Sequence, residues 1–198
     1  MRLEGRSSSL GPATRHWTPA TPPLQIRSTM DSAYRPEAWH DLYVMVGGAA
    51  AGLTGLIFVA VSLHLREVLR NPWHRGTAGS SLLALMSVVL ISGVLLAPAQ
   101  PLPLAGLEIT LIAAASPIYG CAALFHLPSA RRRAALARIL AGLAGGLLAV
   151  AAGLSLAVQA GGGLWLLLPA ASVALGSSVL NAWRLMVDVA EGPAGGAA

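Results

Sequence analysis

Read for the alternation of apolar and polar positions, the chain resolves into five long runs in which almost nothing is charged. They extend from about Leu42 to Leu65, Ser80 to Ala97, Leu104 to Leu127, Leu136 to Ala160 and Leu164 to Val187. Each is close to the roughly 20 residues that carry a helix across about 30 Å of hydrocarbon at about 1.5 Å per residue. The strict alternation of a membrane strand is absent. No run has a marked polar face, so length rather than helical period identifies them as membrane helices. The second run is the shortest and spans with little tilt. The expected fold is all-α: a polytopic membrane protein built as a bundle of five transmembrane helices. Its organisation is a disordered tail over residues 1–41, a five-helix transmembrane domain over 42–187, and a flexible Gly- and Ala-rich tail over 188–198.

The connections alternate in charge, and this sets an orientation. Between the first and second runs lie Arg66, Arg70 and Arg75 against Glu67; between the third and fourth lie Arg131, Arg132 and Arg133, with Arg138 just beyond. The other two connections, Pro98 to Pro103 and Gly161 to Gly163, carry no charge and are short enough for hairpins. Cytoplasmic loops are enriched in Lys and Arg, so the arginine loops are expected inside, which gives N-out/C-in. Arg184, at the end of the last run, agrees. Trp39 and Tyr43 at the start of the first run, and Trp165 and Trp183 at the two ends of the fifth, sit where interfacial aromatics anchor depth.

Composition reinforces the class. The 198 residues are 55% hydrophobic and 11% charged, with a mean hydropathy of +0.67, too apolar for an ordinary soluble domain. All thirteen basic residues are Arg and fall outside the runs or at their ends. The net charge of +5 is therefore a topology signal, suited to anionic lipid at the inner face, and no nucleic-acid partner is expected. One cysteine, Cys121, excludes an intrachain disulfide. Residues 1–29 hold four arginines, four prolines, Ser7 to Ser9 and a single acid, Glu4, a composition that cannot bury a core. It also suits a transit peptide, although Met30, which opens a compact lead-in to the first run, is the plainer start.

Candidate chemistry is sparse. In the first run Gly48 and Gly52, with Gly55 on the neighbouring ridge, place small residues where another helix backbone can come close; Gly142 and Gly146 repeat the device in the fourth. The first span is expected to be the packing hub, with a homo-oligomer left open. Glu108 is the lone carboxylate inside a run and is the candidate transport residue, as proton carrier or cation ligand. It lies four residues past Leu104, about 6 Å along a helix, so its carboxylate also reaches interfacial water. Pro117 and Pro169 permit kinks. Asn181 and Gln159 are candidates for interhelical hydrogen bonds. The five histidines fall outside HExxH or CxxC spacing, and neither a phosphate-binding loop nor a nucleophile elbow is present. No catalytic residue, metal or cofactor is expected.

The stretch from Ala38-Trp39-His40-Asp41, through the Gly-rich first span, to Val61-Ser62-Leu63-His64-Leu65-Arg66 resembles the start of a family of small bacterial integral membrane proteins of unknown function. Some members are labelled "modulator of FtsH protease". The resemblance covers about thirty residues, implies a start near Met30, and assigns no catalytic role. The reading that follows is a multi-pass protein of a bacterial inner membrane, non-enzymatic, accessory to or regulating another membrane component. Its partner would be a membrane protein or a second copy. The alternative is a small transporter or channel working through Glu108.

Overall fold

A computed structural model describes residues 32–70, 72–126 and 129–191. Five long helices occupy the five apolar runs: α1 (His40–Leu63), α3 (Pro72–Leu96), α4 (Leu102–His126), α5 (Ser129–Val158) and α6 (Leu167–Glu191). A short helix, α2 (Leu65–Arg70), fills the first arginine-bearing connection, and 3-10 turns at Pro36–Trp39 and Gly163–Leu166 lead into α1 and α6. Among the described residues there is no strand. All five long helices are long and apolar enough to cross a membrane. The protein is all-α and multi-pass.

The second span is longer than its apolar run. Pro72 occupies the first helical position, where a missing N–H has no intrahelical acceptor to lose, and the helix continues through Trp73, His74 and Arg75 into the membrane. Polar residues at the interface remain solvated and do not stop a helix, so the apolar run under-reports it. Pro169 falls in the first turn of α6, where its missing N–H is tolerated for the same reason.

Helices α3, α4, α5 and α6 form a ring in that order, with α6 closing onto α3, while α1 lies outside the ring along α3 and only brushes α6. The first span is therefore peripheral. The closest seam is α4 against α5, where Gly106 faces Gly153. A Cβ on Gly106 would sit 2.6 Å from the Gly153 carbonyl oxygen, and one on Gly153 would sit 2.7 Å from the Thr110 nitrogen. Thr110 Oγ1 donates to the Gly106 carbonyl at 2.8 Å, tucking its side chain back onto its own helix at this crossing. In lipid the drive for association is this kind of close van der Waals packing rather than escape from water. Further along, Gly146 receives the Pro117 ring, whose Cδ lies 2.7 Å from where a Cβ would be. Helix α4 runs unbroken through Pro117, so this proline seats a static contact.

At the end of the bundle bearing the two uncharged loops, the segment before α1 docks onto the Gly161–Gly163 turn. These glycines have φ of +89°, +111° and +50°, the left-handed region that side chains disfavour. Leu164 N–H donates to the Ala33 carbonyl at 2.9 Å, and Gly162 N–H donates to the Tyr34 hydroxyl at 2.9 Å. Ser155 fixes the turn from α5 by accepting from Gly163 N–H at 2.8 Å and donating to the Ala160 carbonyl. Trp39 Nε1 donates to the Ser32 carbonyl at 2.9 Å and meets Trp165 edge-on, ring centroids 4.6 Å apart. Residues 32–41, assigned from composition to a disordered tail, are folded, because the turn supplies partners for their backbone. The rest of that tail, residues 1–31, lies outside the described residues. At the other terminus the helix includes 188–191, and 192–198 lie outside.

Candidate functional site

The four-helix ring, together with Tyr43 and Val46 of α1, lines a cavity of about 400 Å³. Its wall along α3 carries Thr77, Ser80, Ser81, Ser87 and Ser92, whose spacings place them on one face together with Ala84, Val88 and Ile91. From Pro72 to Ser92 the lining follows α3 for roughly 30 Å of rise. The remaining walls are mostly apolar or small, from Ala113 to Ala123 on α4, Arg138 to Ala149 on α5 and Leu167 to Asn181 on α6.

Two of the hydroxyls on this wall are spent as donors on their own helix. Ser80 donates to the Thr77 carbonyl at 2.9 Å and Ser87 to the Leu83 carbonyl at 2.9 Å, back-bonds that leave each oxygen able to accept. Ser178 donates to the Ser81 carbonyl at 3.4 Å, and Asn181 Nδ2 donates to Ser81 Oγ at 3.2 Å, a buried clamp between α6 and α3. This fulfils the expectation for Asn181. Gln159, at the exposed end of α5, makes no such bond among the described residues.

Tyr43 differs. It is 3% exposed, lines the cavity, and its hydroxyl is buried with no hydrogen-bond partner. Its end of the cavity is closed by buried Ile91, Ser92, Ala149, Leu167 and Ala170, beneath the docked lead-in. Toward the arginine-bearing end the lining opens, with Pro72, Tyr119 and Gly142 exposed and Arg138 half-buried. Tyr119 donates to the Gly76 carbonyl at 3.4 Å, bridging α4 to α3 beside this mouth. Arg138 is the one charged side chain among the described lining residues. The space is a blind pocket, closed at the end of the bundle where the lead-in docks.

The residues singled out from sequence are dispersed. Gly48, Gly52 and Gly55 face open space, with nothing within 4 Å of an added Cβ, which corrects the expectation that they pack the bundle internally. On α1 it is Gly47 that packs, against Ser92. Gly142 also meets nothing and lines the mouth of the cavity, whereas Gly146 is filled by Pro117. Glu108 accepts a hydrogen bond at 2.7 Å from Gln100 Nε2 in the Pro98–Pro103 loop and does not line the cavity. Trp39 and Tyr43 are buried inside the bundle rather than set at a lipid interface, while Trp165 and Trp183 are 44% and 66% exposed. Among the described residues no three His, Cys, Asp or Glu side chains come together as metal ligands.

The cavity-lining hydroxyls were missed because serine and threonine barely lower the mean hydropathy of a run. The signal was present in their three-and-four spacing over Thr77 to Ser92, a weak polar face that membrane helices turn inward. Compared with protein-family models, with curated proteins and with solved structures, the chain matches none.

Proposed function

We propose that the protein is a non-enzymatic accessory or regulatory component of a bacterial inner membrane, oriented N-out/C-in, that binds another membrane protein through the open face of α1. The carrying observation is that Gly48, Gly52 and Gly55 leave a groove on a helix that already lies outside the ring. Each glycine costs a helix interior up to about 1 kcal/mol relative to alanine, and at these positions no contact within the chain offsets it. An approaching helix backbone would, because glycine lets two helices come near enough for extensive contact. The alternative of transport through Glu108 has less support, since that carboxylate is tied to the Gln100 amide and stands apart from the cavity.

The test is proximity crosslinking with mass spectrometry on the natively expressed protein, comparing the unaltered chain with Gly48→Leu and Gly52→Leu. A membrane-protein partner recovered by the unaltered chain and lost in both variants is the expected result. Recovery unchanged by leucine at these positions would reject the groove as the docking face, and self-crosslinks lost in the variants would make the partner a second copy.

A further inference from the structure

We infer that the blind cavity inside the ring is a binding site for an uncharged amphiphile: a molecule with a mostly apolar body and one hydroxyl or carbonyl oxygen that pairs with Tyr43.

Two independent observations carry this. The first is the cavity, whose volume of about 400 Å³ lies within the roughly 300–1,000 Å³ of small-molecule pockets. The second is the Tyr43 hydroxyl, buried and without a partner at the closed end of that cavity. A buried hydroxyl left unmade is costly, and few are tolerated in a packed protein. At Tyr43 no protein group completes a hydrogen bond to the hydroxyl, so the missing partner has to enter through the cavity.

The wall chemistry narrows the class. Ser80 and Ser87 spend their protons on their own helix and can only accept, so the wall is weakly polar along one side and apolar on the others. No charged side chain among the described residues lines the closed end, and a carboxylate or phosphate carried there would lose its hydration without a counter-ion. Arg138, at the mouth, already has a partner within the protein. A neutral oxygen is the group that satisfies Tyr43 without that penalty. The exposed lining residues Tyr119 and Gly142 belong to membrane-spanning helices, so a molecule dissolved in the bilayer has access to the cavity. This site is separate from the groove on α1, and either can fail without the other.

The experiment uses the full chain in phosphatidylcholine nanodiscs with a long-chain primary alcohol bearing a mid-chain diazirine, photolysed and mapped by peptide mass spectrometry. Label is expected on the cavity faces of α3 and α5, displaced by excess 1-dodecanol and at least tenfold less well by dodecanoate. Tyr43→Phe, which removes only the hydroxyl, is expected to weaken displacement about fivefold, the worth of one net hydrogen bond. Ala84→Leu, which fills the cavity from α3, is expected to abolish labelling there even if Tyr43→Phe proves unstable. Label confined to lipid-facing residues, equal displacement by dodecanoate, or labelling indifferent to Ala84→Leu would each overturn the assignment. So would a cavity that takes no label, which would mean that water alone serves Tyr43.

Discussion

Replacing Gly106 by alanine tests the account of the ring most directly. The new methyl carbon would lie 2.6 Å from the Gly153 carbonyl oxygen and 2.9 Å from Ala157 Cα, whereas ordinary contact begins at 3.4 Å. These neighbours, and the Ala157 nitrogen that lies closer still, are all backbone, so no rotamer change relieves the overlap, and α4 and α5 must part by at least about 0.8 Å at their tightest crossing. Overpacking of this kind costs about 1–3 kcal/mol, and the separation also weakens every contact along the seam. Alanine at Gly48 introduces the same methyl where nothing lies within 4 Å, and its better helix propensity makes it neutral or stabilising by up to about 1 kcal/mol. Reversible unfolding in mixed micelles, followed by circular dichroism and tryptophan emission, should separate the two variants by at least about 1 kcal/mol. Equal stability of Gly106→Ala and Gly48→Ala would refute the placement of the principal seam between α4 and α5.

Asn181→Ala removes the donor to Ser81 Oγ and should cost about 0.6–1.7 kcal/mol in the same unfolding assay, the range of interhelical hydrogen bonds in membranes. Gly163→Ala places a methyl against the Ala33 carbonyl at a φ of +50°, so the lead-in should detach and chymotrypsin should cut after Tyr34, which the native docking holds, several-fold faster. Glu108→Gln keeps an acceptor for the Gln100 amide, so membrane insertion should be unchanged and stability should move by less than about 1 kcal/mol. A larger loss, measured by micellar unfolding, would show that the carboxylate charge has a structural role at this loop.

The sequence disclosed the fold to different depths at different places. The five spans were legible because about 20 apolar residues in a row admit few alternatives to a membrane helix. The start of α3 was not, since Pro72 to Arg75 read as loop while Pro72 in fact suits a first helical turn. Glycine positions were legible as places of close approach, but which ones meet a neighbour depends on helix rotation, and rotation put Gly47 inward and Gly48 outward. Tyr43 was read as a depth anchor because position in sequence does not reveal whether an aromatic at a span end faces lipid or protein. The cavity needed all five long helices at once. Only the hydroxyl face of α3 foreshadowed it.

The contact of Ala33 with Leu164 has a consequence for biogenesis. It joins a residue that precedes the first span to one that opens the last, so the lid over the Tyr43 end cannot form until four helices are inserted and the fifth has emerged. A nascent chain halted after α5 would present Trp39 and Tyr43 without Leu164 and Trp165 to cover them. Closure of this lid therefore requires that α6 has been made, and until then the indole of Trp39 stays accessible.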